Sequence, residues 1–156
     1  MGMQLRAVFF DIDDTLYSST DFAWRAREQA VEAMVRAGLR AEPAQVFAEL
    51  QEVVAEFGSN DDRHYNRLLQ RLGREASAGA NPALIVMAGV IAYHETKWRE
   101  LGITDSARRL LQDLASAGMR LGVITAGLTM KQAEKVLRLG VDQFLDPELV
   151  FFTDQE

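Results

Sequence analysis

A short, almost continuously apolar run opens the chain. Residues 5–12 read LRAVFFDI, and a run of this length that ends in acids is typical of a strand buried on both faces, as in a parallel sheet. Two similar runs, residues 119–125 and 149–152, follow much later. Helical patterns at residues 105–118 and 129–140 accompany them. Strands that alternate with helices at this spacing predict parallel pairing with right-handed crossovers.

Four segments with apolar residues at helical spacing lie between the first and second strands, and Gly, Asn and Pro residues separate them. Pro43 and Asn81 are helix-start signals. Such a series predicts a small helical bundle. The fold class is therefore α/β, with about three visible strands in a core of residues 1–17 and 100–156 and a helical insert at residues 18–99.

Two predictions concern helix starts. Asp21 has the character of an N-cap for the first helix of the insert. Thr129 and Gln132 have the spacing of a capping box, which would open the helix after the second strand.

Composition and charge exclude several classes of protein. The 156 residues carry 17 Lys and Arg against 23 Asp and Glu, a net charge of −6, which argues against a general nucleic-acid binder because nothing attracts a phosphate backbone. The lack of cysteine excludes disulfide scaffolds, zinc-thiolate sites and cysteine nucleophiles. No apolar stretch approaches the ~20 residues of a membrane span, and no signal peptide is evident. The sequence predicts a soluble cytoplasmic protein without nucleic-acid or membrane partners.

The candidate chemistry lies where the first strand ends, at Asp11, Asp13 and Asp14. Open α/β sheets bind ligands beyond the carboxyl ends of their strands, and acids this close repel one another, so a hard cation such as Mg²⁺ would compensate them. By the strand period of two, Asp11 and Asp13 point to the same side. One can ligate a metal and attack phosphorus while the other handles a proton. A solvated turn or a helix N-cap is the open alternative.

Residues 9–16, FFDIDDTL, resemble the first motif of the haloacid dehalogenase-like hydrolase superfamily, in its branch with a helical cap inserted after that motif. The resemblance implies a partial Rossmann-like parallel sheet with a helical-bundle cap. It makes Asp11 the nucleophile that forms an aspartyl-phosphate and Asp13 the general acid and base, with both as ligands of Mg²⁺. A carboxylate at Asp13 favours phosphoryl transfer over dehalogenation in this family.

A second motif of the family is matched by residues 123–127, VITAG. The resemblance implies that the hydroxyl of Thr125 and the backbone N–H groups of Ala126 and Gly127 hold the phosphate, near the start of the following helix. Relatives usually carry Asn or Asp where this chain has Ala126, so a polar side chain is missing near the substrate.

The resemblance also implies two later motifs, a lysine and an acidic pair, beyond a segment like residues 149–154, whereas the sequence stops at Glu156. We therefore expect an incomplete core and a chain of little or no activity. Lys131 is the candidate to replace the lysine, with Lys135 one turn on, although exposed helix lysines are commoner. The candidates for a further metal ligand are Asp142, Asp146 and Asp154.

Three residues of the cap region, Tyr17, His94 and Lys97, are candidates for contacts with the substrate, although packing or surface roles are commoner for such residues. With three strands, the first strand becomes an exposed apolar edge, which predicts a homodimer or a domain-swapped form.

The leading hypothesis is a Mg²⁺-dependent phosphatase that acts on a small phosphorylated metabolite through an aspartyl-phosphate. A catalytically silent binding or interaction module with the same fold is the alternative. A receiver domain phosphorylated on aspartate is less favoured, because its phosphoacceptor follows a later strand and no helical insert follows its first.

Overall fold

Three parallel strands form the sheet in this protein, whose computed structural model describes residues 5–153. β1 (Ala7–Phe10) pairs with β2 (Arg120–Ala126), which pairs with β3 (Val150–Thr153). Within the described residues β2 is therefore central and β1 lies at an edge. The predicted α/β class with a parallel sheet is confirmed.

The first strand is shorter than its apolar run, because the chain turns after Phe10. The backbone N–H groups of Thr15 and Leu16 both donate to the carbonyl of Ile12, at 3.3 and 3.0 Å. Asp14 adopts a left-handed conformation with φ of 53°, which breaks any extended path. The acids that follow β1 thus lie in a tight turn.

Six α-helices and three short 3₁₀ helices complete the described elements. The α-helices are α1 (Ser19–Arg36), α2 (Pro43–Phe57), α3 (His64–Leu72), α4 (Pro82–Glu100), α5 (Asp105–Ser116) and α6 (Thr129–Leu139). The 3₁₀ helices are Arg74–Ser77, Asp142–Phe144 and Pro147–Leu149. The predicted start signals act as expected at two helices: Pro43 occupies the first turn of α2, and the Asn81 side chain accepts from the N–H of Ala83 at 2.9 Å.

Both predicted capping interactions are wrong. α1 begins at Ser19, so Asp21 lies inside its first turn, and the Asp14 carboxylate instead accepts from the N–H of Ser19 at 2.8 Å. The N-cap residue of α6 is Leu128, which makes no side-chain cap bond. The Gln132 side chain instead reaches back to the end of β2, where its amide donates to the carbonyl of Ala126 at 2.8 Å.

The chain divides into two compact units, residues 5–22 with 100–153 and residues Ala23–Arg99. The predicted insert begins at residue 18, whereas the second unit begins at Ala23. The second unit is helical and has its own apolar core, which includes Met34, Val46, Leu50, Val53, Leu68 and Ile85.

In the first unit, α5 packs on β2 and α6 contacts β3. β2 buries Leu121 and Val123, while Ile124 on its opposite face is 48% exposed. By register, Phe9 and Phe151 share the face of Ile124, and their rings lie 6.1 Å apart. The sheet is therefore covered on one face and exposes three large apolar side chains on the other.

Among the helices in the described part of the chain, none combines the length and the apolar character needed to cross a bilayer.

Candidate active site

The carboxyl ends of β1 and β2 lie side by side at the same end of the sheet, because the two strands are parallel and in register. Asp11 and Asp13 follow β1, and Thr125 and Ala126 end β2. The Gln132 amide joins the two ends: its Nε2 donates to the Ala126 carbonyl at 2.8 Å and to Oδ2 of Asp13 at 3.3 Å. The structure thus brings together the two motifs that the sequence places more than a hundred residues apart.

Asp11 presents an exposed carboxylate directly after β1. Its Oδ1 accepts from the backbone N–H of the next residue, Ile12, at 2.8 Å. This bond fixes the carboxylate against its own backbone while the side chain stays open to solvent. Asp11 is therefore both oriented and accessible, as a nucleophile must be.

Asp13 is partly buried, and hydrogen-bond donors surround its carboxylate. Tyr17 Oη donates to Oδ1 at 2.7 Å, and Lys135 Nζ donates to Oδ1 at 2.7 Å and to Oδ2 at 2.6 Å. Partial burial acts to raise the pKa of Asp13, but the hydrogen bonds from Lys135, Tyr17 and Gln132, with the Lys135 charge, outweigh it. The pKa of Asp13 is lowered, and its ionised form is favoured.

Lys135 is the site residue whose importance the sequence understated. The sequence favoured Lys131 as the replacement for the lysine of the family, but Lys131 is exposed on α6. Lys135 is only 19% exposed and makes the contacts to Asp13. A signal was present: Gln132 and Lys135 are three residues apart on a helix and so share one face, which is the face of the buried residue Val136.

Asp14 has a structural role, which matches the N-cap alternative for this one acid. Its carboxylate accepts from the N–H groups of Ser19 and Thr20, at 2.8 and 3.2 Å, and from the Thr20 hydroxyl at 3.1 Å. These hydrogen bonds hold the pKa of Asp14 below its ordinary value. The three acids therefore have three different environments.

The residues predicted to hold phosphate lie at the end of β2. Thr125 is buried and Ala126 is exposed. Gly127 has φ of +128°, and a Cβ there would lie 2.8 Å from Gln132 Nε2, so only glycine fits without strain. Its N–H donates to the Thr153 carbonyl at 3.2 Å. A phosphate contact from Gly127 would need this bond to be exchanged, and the phosphate-binding roles stay predictions.

A sequence profile of the haloacid dehalogenase-like hydrolase family matches residues 5–155. The chain belongs to this family. The two strand ends described above lie within the matched residues, and their assignment to the first and second motifs of the family stays a prediction.

Relatives of the chain include glyceraldehyde 3-phosphate phosphatases from Methanopyrus kandleri and Methanothermobacter thermautotrophicus, at 44% and 43% identity over 142 residues each. The matches cover 90% and 91% of this chain but 59% and 61% of those proteins. A solved haloacid dehalogenase-like hydrolase from Xanthomonas campestris matches with a TM-score of 0.60 at 20% identity, over 96% of this chain and 61% of that one. The structural match supports the fold alone.

The predicted substrate contacts lie in both units of this haloacid dehalogenase-like chain. Tyr17 is 6% exposed, and its hydroxyl contacts Asp13. His94 and Lys97 belong to α4 in the helical unit, where the ring of His94 lies edge-on to that of Tyr93 at 5.7 Å. Contacts of these three residues with a substrate stay predictions.

The residues of this chain fit in part the magnesium ion that the family implies. Residues 5–153 contain no group of three or more Asp, Glu, His or Cys side chains placed to hold a metal ion. Mg²⁺ commonly uses one or two carboxylates with waters and a substrate phosphate, and the exposed Asp11 suits that role. Both oxygens of Asp13 already accept from an ammonium group, so the arrangement favours Asp11 as the ligand.

The other acids suggested as ligands have different surroundings. Asp146 accepts from Arg120 at 2.7 Å and from the N–H of Glu148 at 3.0 Å, which makes it part of a turn. Asp142 starts a 3₁₀ helix, and Asp154 lies outside the described residues.

Proposed function

We propose that the chain carries the chemistry of a phosphatase that hydrolyses a small phosphorylated metabolite through an aspartyl-phosphate on Asp11. The observation that carries this proposal is that two acids lie directly after β1, beside the carboxyl end of β2. Asp11 is exposed there, and Asp13 accepts hydrogen bonds from Lys135. Because the chain spans 59% and 61% of the relatives named above, the activity of a full-length protein is itself part of the proposal.

The chemistry proceeds in two steps. A carboxylate oxygen of Asp11 attacks phosphorus, and the bond from phosphorus to the ester oxygen breaks. The leaving oxygen keeps the electron pair of that bond and takes a proton from the protonated form of Asp13, which is the minor form in the free chain because the pKa of Asp13 is lowered. A water then attacks the aspartyl-phosphate and gives its proton to Asp13, which releases inorganic phosphate and the free Asp11 carboxylate. The products are one alcohol and one phosphate, and both acids return to their starting states.

Binding and charge compensation support these steps. Asp11 would hold a Mg²⁺ ion, which would supply positive charge that reduces the repulsion between this carboxylate and the phosphate dianion. Thr125, Ala126 and Gly127 would hold the phosphate close to the N-terminus of α6, where backbone N–H groups favour anions.

The relatives support a proposal for the substrate class. Because those at 44% and 43% identity are glyceraldehyde 3-phosphate phosphatases, we propose a small phosphate monoester of triose size. His94 and Lys97 are proposed contacts for the part of the substrate away from phosphorus.

A turnover assay tests the function. The chain is incubated with glyceraldehyde 3-phosphate or p-nitrophenyl phosphate and Mg²⁺, and phosphate release is measured. Asp11→Asn should reduce turnover on the order of 1,000-fold or more, because no nucleophile remains. Asp113→Asn, which changes an exposed acid on α5, is the matched control and should match the starting chain.

Measurable turnover in the starting chain that Asp11→Asn leaves unchanged would refute the nucleophile. Binding of phosphate ester without any Asp11-dependent turnover would instead support the silent binding module. The expectation of little activity for the 156-residue chain is read from the same assay, since rapid Asp11-dependent turnover contradicts it and leaves the proposed chemistry intact.

A further inference from the structure

We infer that Lys135 is a positioning residue, which holds the Asp13 carboxylate in the orientation that proton transfer to and from the Asp11 phosphoryl group requires. This inference rests on the proposed function and deepens it. Lys135 itself would not touch the substrate, and would act only through Asp13.

The contacts constrain both oxygens of Asp13. The Lys135 ammonium lies 2.7 Å from Oδ1 and 2.6 Å from Oδ2. Tyr17 adds a donor to Oδ1 at 2.7 Å, and Gln132 adds one to Oδ2 at 3.3 Å. A carboxylate that accepts from donors on both oxygens cannot rotate without breaking charge-assisted hydrogen bonds, which are the strong ones.

The position of the lysine is also defined. Its side chain is 19% exposed and that of Asp13 is 33% exposed, so the pair is partly withdrawn from water and less screened than a surface ion pair. Gln132, on the same face of α6, ties this helix to the end of β2 through the Ala126 carbonyl. The ammonium is therefore presented from a helix whose first turns are anchored beside the site.

The water step makes the need for positioning clear. Asp13 must accept a proton from a water that is aligned with the bond between phosphorus and Asp11, and a misplaced catalytic group loses much of its rate advantage. Removal of a residue that orients a functional side chain commonly costs about 10- to 100-fold. A lysine that bound phosphate directly would change phosphate affinity instead.

The lifetime of the aspartyl-phosphate tests the inference even when overall turnover is slow. The chain is loaded with acetyl phosphate and Mg²⁺, the donor is removed, and loss of the adduct is followed by intact mass. Lys135→Met should lengthen the lifetime about 10-fold or more, and Lys135→Arg should restore most of the rate because a guanidinium also bridges two carboxylate oxygens. Lys135→Gln is the second variant if Lys135→Met does not fold.

A double-mutant cycle with Asp13→Asn gives the readout that a merely structural role would not move. If Lys135 acts through Asp13, Lys135→Met changes the lifetime less than twofold in the Asp13→Asn background. Arg138→Met is the matched control, since Arg138 is also on α6, is 23% exposed and pairs with Glu134 at 2.7 Å. It should leave the lifetime within twofold of the starting chain.

Three results would overturn the inference. They are an unchanged lifetime in Lys135→Met, an equal lengthening in the presence and absence of Asp13, and a weaker affinity for inorganic phosphate with an unchanged lifetime. Failure to form any adduct on the starting chain, or an adduct that survives in Asp11→Asn, refutes the proposed function and the inference with it.

Discussion

Three acids within four positions have three different environments in this chain, and tertiary contacts decide which. Asp11 is exposed, Asp13 accepts from Lys135 and Tyr17, and Asp14 caps the start of α1. Asp14 has a left-handed φ of 53°, and its carboxylate contacts the start of α1 and not the end of β2. Only two of the acids are then left for chemistry.

Asp14→Ala should lower the urea midpoint of unfolding more than Asp14→Asn does. Alanine loses the acceptor for Ser19 and Thr20 and tolerates a left-handed backbone poorly, whereas asparagine keeps an acceptor and adopts that conformation more readily. Asp113→Ala, at an exposed position of α5, is the control. Equal midpoints for all variants would contradict the capping role.

The same cap predicts a pH dependence. The hydrogen bonds from Thr20 and Ser19 lower the pKa of Asp14 below its ordinary value of 3.8. Its stabilising effect is therefore complete well above pH 3.8 and is lost as the pH falls through the lower value of the folded state. The difference in unfolding midpoint between the starting chain and Asp14→Asn should shrink from pH 7 to pH 3. A difference that grows in acid would contradict this sign.

Packing around single glycines constrains the elements of the sheet unit. Gly122 lies in β2, beside Phe9 of β1 and beside Leu149, the residue that directly precedes β3. A Cβ at Gly122 would lie 2.5 Å from the Leu149 carbonyl oxygen and 2.6 Å from the Phe9 ring. The bulky ring on β1 therefore lies over a position where β2 has no side chain.

Gly122→Ala should destabilise the chain by about 1–3 kcal/mol, the usual cost of overpacking, because the backbone carbonyl of Leu149 cannot move freely. Gly102→Ala is the matched control, since a Cβ there meets nothing within 4 Å. Chemical unfolding of both variants checks the expectation. A Gly122→Ala variant as stable as Gly102→Ala would show that the sheet relaxes more easily than its geometry indicates.

At the scale of the whole molecule, the sheet carries two features that favour association. β1 is an edge strand within the described residues, and Phe9, Ile124 and Phe151 are 41%, 48% and 46% exposed on one face. Exposed strand edges and apolar patches commonly become interfaces. The homodimer or domain-swapped form expected from the sequence stays a prediction.

Sedimentation at rising concentration tests it. The starting chain should self-associate, and Ile124→Lys should reduce association because it places a charge in the centre of the apolar face. Leu137→Lys, at a position of α6 that is 66% exposed, is the matched control and should leave association unchanged. A starting chain that remains monomeric at high concentration would contradict the prediction.

The sequence by itself determined the α/β class, the parallel strands and the starts of α2, α4, α5 and α6. It could do so because hydrophobic periodicity and residues such as Pro43 and Asn81 act over a few neighbours. The sequence predicted too long a first strand and two helix caps that do not form. The turn after Phe10 and the contacts of Gln132 depend on partners far along the chain.

Only the tertiary structure decided the roles within the site. Lys135 contacts Asp13 across 122 positions. Helical spacing places Lys135 on the face of the buried residue Val136, but it does not show that this face meets Asp13. The choice depends on which face of α6 turns toward the sheet. A helix presents its side chains at fixed angles, so docking α6 beside β2 brings Lys135 to the acid and leaves Lys131 exposed.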